Sequence, residues 1–363
     1  MKIAYVSLHW PRTNDSGVGK KIQSQIDAWS GRGHAARMFM HASRHEPQSD
    51  LIEGDIFFYS FEGGINKEIS RVRAMERTVT SIRNYRPHLI YLRYGMYVLP
   101  AHRLMDIAPV IEEINTDDLA QHERLGRFIS TYNRWTRGIL LRRVRGLVAV
   151  SRELALAPAF AGYRKPTRVV SNGIDLDSTI PLRAPNNKIP RLFFMATPGY
   201  PWHGIDKLVE LARIIPDIVI DVVGYCENDL GGSLPKNIRL HGYMKSTDYL
   251  KILSEADADI STLALHRKNM QEASSLKTRE YLAFGLPVIL PYVDTDLNDL
   301  DCSFLLKIPN QEDNIQTHGE IIGDFIFRMR GKRADRRVLN ERIGSHQKEK
   351  ERLEFFEQII RNF

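Results

Sequence analysis

The feature that most constrains the fold is a regular alternation of short apolar runs with helical patterns along almost the whole chain. Several of these runs are nearly continuous and rich in β-branched residues, as expected of parallel strands buried on both faces. We predict strands at 3–8, 89–94, 110–114 and 147–150 in a first half, and at 191–196, 218–223, 238–241, 259–262 and 288–290 in a second half. Such alternation predicts an α/β fold with right-handed crossovers.

The length of the chain, 363 residues, predicts two domains, because one domain usually holds about 100–200 residues. Segment 181–190 is rich in proline and asparagine, and a predicted strand follows it at once, so we interpret it as a linker. It separates an N-terminal α/β domain at 1–180 from a C-terminal one at 191–332. A charged segment at 333–363 has helical spacing and predicts a long terminal helix.

Composition excludes several classes of protein. Hydrophobic residues make up 43% and charged residues 26%, which are globular values and not those of a disordered or fibrous chain. The two cysteines are too few for a disulfide scaffold or a cysteine-rich zinc site, and no His, Asp and Glu cluster has metal-ligand spacing. The net charge of +7 favours anionic partners without choosing among nucleotides, nucleic acid and lipid.

The sequence predicts a cytoplasmic protein. No run of about 18 apolar residues is present, so no helix is expected to span a membrane. The N-terminus reads as a first strand and not as a signal peptide.

A glycine-containing loop is the first candidate ligand site. Gly17 and Gly19 follow the first predicted strand and precede a helical pattern, so backbone N–H groups at the helix start could bind an anion. The spacing fits neither the dinucleotide fingerprint nor the P-loop. An ordinary surface turn remains the alternative interpretation.

The most specific stretch is 272–289, Glu-Ala-Ser-Ser-Leu-Lys-Thr-Arg-Glu-Tyr-Leu-Ala-Phe-Gly-Leu-Pro-Val-Ile. Ser274 is the predicted N-cap of a helix that starts at Leu276. Glu272 and Glu280 are separated along the axis by roughly 10 Å, which suits the two ends of an extended ligand. Between them, Lys277 and the helix start form an anion site. The order of carboxylate, anion site and carboxylate predicts a nucleotide sugar as the ligand. The alternative is that Glu272 is a solvated loop residue and Glu280 is a charge on the helix surface.

Two glutamates eight positions apart, followed by Tyr-Leu-Ala-x-Gly-x-Pro-Val-Ile, resemble the signature of retaining GT-B glycosyltransferases of family 4. Segments 169–175 (Val-Val-Ser-Asn-Gly-Ile-Asp), 201–208 (Pro-Trp-His-Gly-Ile-Asp-Lys-Leu) and 239–243 (Arg-Leu-His-Gly-Tyr) resemble further segments of that family in the same order. The resemblance implies two Rossmann-like domains with parallel sheets facing an inter-domain cleft. It implies acceptor binding by the N-terminal domain, nucleotide-sugar binding by the C-terminal domain, and a terminal helix that crosses back.

The resemblance also implies the chemistry. The sugar would pass from a nucleotide-sugar co-substrate to a glycan or lipid-linked acceptor with retention, in polysaccharide or glycoconjugate synthesis, with no further cofactor and no catalytic metal. The implied donor-binding residues are Gly17, Gly19, His203, Glu272, Ser274, Ser275, Leu276, Lys277 and Glu280.

The sequence departs from the family at the diphosphate site. No arginine follows the strand at 191–196, and His203 stands where lysine is common, so Lys277 is the main cation expected there, with His203 assisting. Glu113 and Asn115 alternate on a predicted strand and share a facing. We take Glu272, Lys277, Glu113 and Asn115 as the catalytic candidates, and Arg93 and Tyr94 as acceptor or cleft candidates.

Segment 124–145 carries seven arginines interleaved with Phe128, Tyr132 and Trp135. A basic helix with aromatic residues can lie on anionic lipid, which predicts peripheral attachment at the inner face of the membrane. Alternatively, the aromatic residues pack against the sheet and the arginines are solvated. Nucleic acid is not the expected partner, because no recognised binding module accompanies the segment.

Three other functions stay open. A GT-B epimerase or hydrolase would share the nucleotide site but would not need an acceptor. A nicotinamide-dependent dehydrogenase lacks its Gly-x-Gly-x-x-Gly motif here. The calculated isoelectric point of 9.3 keeps a non-enzymatic nucleic-acid binder as the third alternative.

Overall fold

The structure is a computed structural model, and it describes residues 1–8, 16–43, 54–59, 64–123 and 125–362. Arg124 and Phe363, which belong to the predicted segments 124–145 and 333–363, lie outside the described residues. The chain divides into two compact units, Met1–Gly173 with Ser345–Phe363, and Ile174–Gly344. Both units contain parallel sheets and helices, which confirms the predicted α/β class.

The strands are β1 (Lys2–Ser7), β2 (Ala35–Ser43), β3 (Gly54–Tyr59), β4 (Leu89–Arg93), β5 (Val110–Ile114), β6 (Gly146–Ala149), β7 (Thr167–Val169), β8 (Arg191–Met195), β9 (Val219–Val223), β10 (Ile238–Leu240), β11 (Ala258–Ile260), β12 (Glu272–Ala273), β13 (Val288–Leu290), β14 (Val293–Asp294) and β15 (Leu305–Lys307). The nine strands predicted from the sequence are all present, with ends shifted by at most two residues. The sequence does not predict β2, β3, β7, β12, β14 or β15.

The helices are α1 (Gly17–Ser30), α2 (Ile65–Tyr85), α3 (Asp118–Glu123), α4 (Arg127–Leu141), α5 (Arg152–Leu156), α6 (Pro158–Ala161), α7 (Ile205–Ile214), α8 (Ser246–Glu255), α9 (Leu276–Ala283), α10 (Asn314–Met329), α11 (Asn340–Ile343) and α12 (Ser345–Arg361). They alternate with the strands of both sheets, as right-handed β-α-β crossovers require.

The first unit is built on a seven-stranded sheet with the order β3-β2-β1-β4-β5-β6-β7, in which all neighbours are parallel. Its central strands are covered on both faces, and every residue of β5 is buried. Helix α12 belongs to this unit: the indole of Trp29 in α1 donates to Glu349 of α12 at 2.8 Å, and its ring packs against Phe356.

The second unit holds a six-stranded parallel sheet with the order β10-β9-β8-β11-β13-β15 and a separate parallel pair, β12 and β14. The predicted linker 181–190 and the residues from 333 to 344 also belong to this unit. Leu182 donates its N–H to the carbonyl of Phe284 at 2.9 Å, and the Arg336 guanidinium donates to three backbone carbonyls of the unit. These contacts explain why the first unit takes up α12 but not the residues just before it.

Candidate active site

The predicted donor-binding stretch lies in the second unit, where it forms β12 and the start of α9. Glu272 lies in β12 and is buried. Ser275 caps α9, since its Oγ accepts a hydrogen bond from a backbone N–H of the first turn. The predicted cap, Ser274, is wrong, because its Oγ instead accepts from Arg279 at 3.2 Å. Leu276 is the first helical residue, as predicted.

A buried arginine fixes the loop between β12 and α9. The guanidinium of Arg279 makes two hydrogen bonds to Asp294, of 2.8 and 2.9 Å, and one to Asp296 of 2.8 Å. Asp294 lies in β14, the strand that pairs with β12. The ion pair therefore ties the helix start to the strand beside Glu272.

Lys277 points toward the carboxyl end of β8. Its ammonium donates to the carbonyl of Met195, the last residue of that strand, at 2.9 Å. Burial lowers the pKa of Lys277 from 10.5 to about 8, although the nearby carboxyl groups of Asp259 and Glu280 oppose this shift. At neutral pH the ammonium remains mostly charged, so it can bind an anion at this edge of the sheet.

Asp259 is a site residue that the sequence does not predict. It lies in β11 and is fully buried, and neither carboxyl oxygen has a hydrogen-bond partner in the described part of the chain. Burial raises the pKa of Asp259 well above its ordinary value, although Lys277 opposes this shift. Asp259 and Glu280 are thus the two carboxyl groups that act electrostatically on Lys277. The signal in the sequence is a carboxyl group inside a predicted buried strand.

His203 lies close to Lys277 but does not supply a second cation. Its Nδ1 lies 3.0 Å from the carbonyl oxygen of Thr197. Burial, reinforced by the charge of Lys277, lowers the pKa of His203 to about 4, so the imidazole is neutral at neutral pH. The predicted assistance from His203 stays a prediction, and a neutral ring would provide it through a hydrogen bond. The turn after it needs a glycine: Gly204 has a φ of +74°, and a Cβ there would lie 2.7 Å from the Cβ of Leu263.

Glu280 lies in the second turn of α9 and is half-buried. Its Oε1 accepts a hydrogen bond from the hydroxyl of Tyr249 in α8 at 2.8 Å. Tyr249 is a second residue that the sequence does not predict. Glu272, Lys277 and Glu280 thus lie in one short segment of one unit, in the order that the sequence predicts.

The two glycines of the predicted first loop lie in the other unit, at the start of α1. Ser16 caps this helix, and its Oγ accepts from the N–H of Gly19 at 3.0 Å. Gly17 is the first helical residue. Asn14 and Asp15, the preceding residues of the loop, lie outside the described residues. Of the nine predicted donor-binding residues, Gly17 and Gly19 alone belong to the first unit.

The structure brings three other candidates of the first unit together around a lysine. The ammonium of Lys21 lies 2.9 Å from Glu113 and 3.0 Å from the side-chain oxygen of Asn115. Asn115 in turn donates to Glu113 at 3.1 Å, which confirms that the two side chains share a facing. Arg93 donates to the same carboxylate at 3.1 Å. Lys21 is not selected by the sequence analysis, since lysines at helix starts are usually solvated.

Electrostatics in this cluster keep Glu113 charged. Burial alone would raise its pKa, but Lys21, Arg93 and Arg352 outweigh burial and hold the pKa of Glu113 well below its ordinary value. Burial also lowers the pKa of Lys21 to about 8. The side chain of Glu113 has no exposed surface. Glu113 can therefore influence a substrate only through its partners, and we interpret it as a positioning residue and not as a catalytic residue.

Tyr94 belongs to a different contact group from Arg93. Its hydroxyl donates to Asp118 at 2.6 Å, and Arg137 donates to both carboxyl oxygens of Asp118, at 2.9 and 2.8 Å. Consecutive residues of an extended segment point to opposite sides, which explains the separation of Arg93 from Tyr94. Arg137 is buried in this group, so it is not one of the surface arginines that the sequence predicts for 124–145.

No group of three or more His, Cys, Asp or Glu side chains among the residues described by the structure is placed to hold a metal ion. In the same described part of the chain, no helix is long and apolar enough to cross a bilayer.

Comparisons with known proteins bear on the family and on the fold. Residues 16–178 match the family model of Glycosyltransferase Family 4. The chain is similar to sucrose-phosphate synthase from Thermosynechococcus elongatus, with 14% identity, complete coverage of both chains and a TM-score of 0.71. It is also similar to a glycosyltransferase from Rickettsia africae, with 15% identity, 100% and 99% coverage and a TM-score of 0.65. No curated protein matches the chain in sequence. The structural likenesses show that the chain has the GT-B fold.

Proposed function

We propose that this chain, which has the GT-B fold and carries a Glycosyltransferase Family 4 match over residues 16–178, is a retaining glycosyltransferase that uses a nucleotide-sugar donor. The match and the fold support glycosyl transfer as the reaction class. The donor, the acceptor and the stereochemical course are the finer parts of the proposal. A glycan or lipid-linked acceptor and a role in polysaccharide or glycoconjugate synthesis belong to it as well.

The observation that carries the proposal is the ammonium of Lys277 at the carboxyl end of β8, with Glu272 before it and Glu280 behind it in one segment. Ligands of open α/β sheets bind outside the carboxyl ends of the strands. A buried ammonium that lies between two carboxyl groups along one segment suits a diphosphate that has a sugar at one end and a ribose at the other. We assign the sugar to Glu272 and the ribose to Glu280.

The chemistry needs stabilisation of the leaving nucleoside diphosphate. Lys277 would neutralise the charge that grows on the phosphate oxygen as the glycosidic bond breaks, and backbone N–H groups at the α9 start, which Ser274, Ser275 and Leu276 form, would share it. The sugar passes through an oxocarbenium-like state. Retention follows if the acceptor attacks on the face from which the diphosphate departs. No side chain of this chain needs to act as a nucleophile, and the proposal requires no metal or other cofactor.

In the first unit, we assign acceptor contacts to Arg93 and Asn115. Both lie at the carboxyl ends of parallel strands and are half-buried rather than fully enclosed. Glu113 holds Arg93 and Lys21 in place. We further propose that the N–H groups near Gly17 and Gly19 assist the diphosphate. These assignments make the first unit the acceptor domain.

Ligand binding raises apparent stability, so a thermal-shift panel tests the donor class. The panel holds UDP, GDP and ADP, each alone and as a glucose conjugate, with wild-type protein and with Lys277→Ala. At least one conjugate should raise the Tm of the wild type, and the same conjugate should raise the Tm of Lys277→Ala by less. If no member shifts the Tm, the nucleotide-sugar proposal fails.

An acceptor screen then separates transfer from hydrolysis or epimerisation. For a transferase, release of nucleoside diphosphate depends on an added glycan or lipid-linked acceptor. A lipid-linked acceptor also requires that the enzyme reach a membrane, and we propose a cytoplasmic enzyme with peripheral attachment through segment 124–145.

A further inference from the structure

Helix α4 carries an apolar face that is exposed to solvent. Phe128 and Trp135 are 95% and 80% exposed, and Tyr132 and Ile139 are 42% and 37% exposed. These residues recur every three or four positions, so they share one face of the helix. The alternative prediction, in which the aromatic residues of this segment pack against the sheet, is therefore wrong. A line of large apolar side chains on the surface usually marks a contact with a partner or a membrane.

A basic pocket lies just beyond the C-terminal end of α4. Its volume is about 290 Å³, and its cationic lining consists of Arg142, Arg143, Arg145 and Lys165. None of the residues that line it is acidic, although Arg143 also pairs with Asp106 at 2.7 Å. Partial burial, together with the charge of Arg145, lowers the pKa of Lys165. The pocket therefore brings four basic side chains close together.

Arg142 connects the pocket with the apolar face. A Cβ at Gly138 would lie 3.3 Å from its guanidinium carbon, so the Arg142 side chain folds back along the last turn of α4. Arg142 also follows Trp135 by seven residues, which places both on the same side of the helix. The apolar face and the basic pocket thus form one continuous surface, which we call the α4 surface.

Within the first unit, the α4 surface and the acceptor candidates lie at opposite edges of the sheet. The pocket residues directly precede β5, β6 and β7, so the pocket lies at the amino edge of the parallel sheet. Arg93 and Asn115 lie at the carboxyl edge, where ligands of open α/β sheets bind.

We infer that the α4 surface docks on a bilayer that contains anionic phospholipid. Aromatic and aliphatic side chains in line with arginines are what an interfacial helix needs, because the apolar side chains enter the headgroup region while the cations meet anionic headgroups. Phe128 and Trp135 would enter the bilayer, and the basic pocket would hold the phosphate of one lipid. Only one part of the inference rests on the proposed function, namely that docking brings the enzyme to a lipid-linked acceptor.

Co-sedimentation with vesicles tests the inference on the full chain. The vesicles contain phosphatidylcholine alone or phosphatidylcholine with phosphatidylglycerol. One double variant, Phe128→Ser with Trp135→Ser, removes the apolar part, and another, Arg142→Glu with Lys165→Glu, reverses charge in the pocket. A matched control, Phe327→Ser with Arg213→Glu, makes the same kinds of change at exposed positions of the second unit.

We expect the wild type and the control to bind the anionic vesicles, with an affinity that falls at high salt. The charge-reversal variant should lose about 30-fold or more in affinity, since each of its two surface cations contributes about fivefold. The apolar variant should lose about tenfold or more, because two large side chains no longer leave water. Unchanged binding by both α4 variants, or no binding by the wild type at low salt, would overturn the inference. Trp135→Gln alone repeats the test if a double variant does not fold.

Two further measurements would identify a different ligand for the α4 surface. If glycerol phosphate raises the Tm of the wild type but no vesicle binds, the pocket takes a soluble phosphate ester and the bilayer inference is wrong. Binding to a random-sequence DNA duplex but not to vesicles would contradict it equally. The thermal shift with nucleotide conjugates is measured on every variant, so a failure of vesicle docking is distinguishable from a failure of the donor site.

Discussion

The guanidinium of Arg279 and the carboxylate of Asp294 face each other through two hydrogen bonds of 2.8 and 2.9 Å, and neither side chain has exposed surface. A two-point contact fixes direction as well as distance. Because Asp294 lies in the strand that pairs with β12, this ion pair holds Glu272 and the start of α9 in one arrangement.

Replacing Arg279 by Met should lower the free energy of unfolding by about 3–5 kcal/mol, because Asp294 is left buried without its partner. Arg279→Met with Asp294→Leu removes both charges, so it should recover most of the stability. We expect kcat to remain low in the double variant, since the loop that carries Glu272 is no longer held. Urea unfolding and steady-state kinetics measure the two effects. Full activity of the double variant would show that the pair serves stability alone.

Lys277 should impose a pH limit on the reaction. The pKa of Lys277 is lowered by burial to about 8, so the ammonium loses its proton as the pH rises through 8. We therefore predict that kcat/KM falls above about pH 8, and that Lys277→Arg moves this limb to higher pH because a guanidinium stays charged. Lys277→Ala should lower kcat by about 10²–10³-fold, the range for one group that stabilises a developing anion. An unchanged basic limb in Lys277→Arg would assign the titration to another group.

The lowered pKa of Lys277 also makes the stability of the protein depend on pH. The ammonium of Lys277 is less favourable in the folded protein than in the unfolded chain, since burial lowers its pKa from 10.5. The penalty is fully present below pH 8 and disappears as the pH rises toward 10.5. Lys277→Met should therefore raise the free energy of unfolding at pH 7 and raise it much less at pH 10, provided that no ligand is bound.

Glu272 should act on the sugar and not on the nucleotide. Glu272→Gln keeps the size of the side chain and removes its charge, so turnover of the nucleotide sugar should fall by about tenfold or more. Binding of the bare nucleoside diphosphate should stay within about twofold, as for the exposed control Glu320→Gln. Calorimetric titration with both ligands checks this. Equal losses for both ligands would move Glu272 to the nucleotide.

The cluster around Glu113 predicts an order of stabilities. Glu113→Gln leaves Lys21, Arg93 and Arg352 without their shared carboxylate, so the free energy of unfolding should fall by about 3–5 kcal/mol. Lys21→Met should cost less, because two cations still face Glu113. Glu123→Gln breaks an exposed ion pair with Arg134 and should change stability by about 0.5 kcal/mol or less. Urea unfolding of the three variants gives the order, and a larger loss for Lys21→Met would contradict it.

The sequence predicts the central strands of each sheet and the edge strand β10, but it misses β2 and the edge strands β3, β7 and β15. Strand β5 is found at the predicted residues, 110–114, because all its positions are enclosed and its apolar pattern is strong. In β2, Arg37 and His41 interrupt the apolar run, although Arg37 is compensated by Asp55 of β3. Strands β12 and β14 have two residues each, too few for any periodicity. Their pairing depends on contacts that form only after folding.

The candidate site also contains residues that the sequence selects and residues that it does not. Glu272, Lys277 and Glu280 are predictable because their spacing along one segment is itself the signal. Arg279 is not, because an arginine on a helix is usually solvated and its partners lie 15 and 17 positions further along the chain. Membrane docking through segment 124–145 stays a prediction, and only the folded helix reveals which of its side chains are exposed.

The most direct test of the donor site concerns Glu280, whose carboxylate we assign to the ribose. Glu280→Ala should weaken nucleotide binding by about 1.5–3 kcal/mol, the range for hydrogen bonds to a charged group, or about 10- to 150-fold in Kd. The matched variant Tyr249→Phe removes only the hydroxyl that donates to Glu280 and should have a smaller effect. Isothermal titration with the nucleotide sugar that gives the largest thermal shift measures all three proteins. We expect a large loss of affinity for Glu280→Ala and a small one for Tyr249→Phe, whereas wild-type affinity in Glu280→Ala would contradict the donor site at α9.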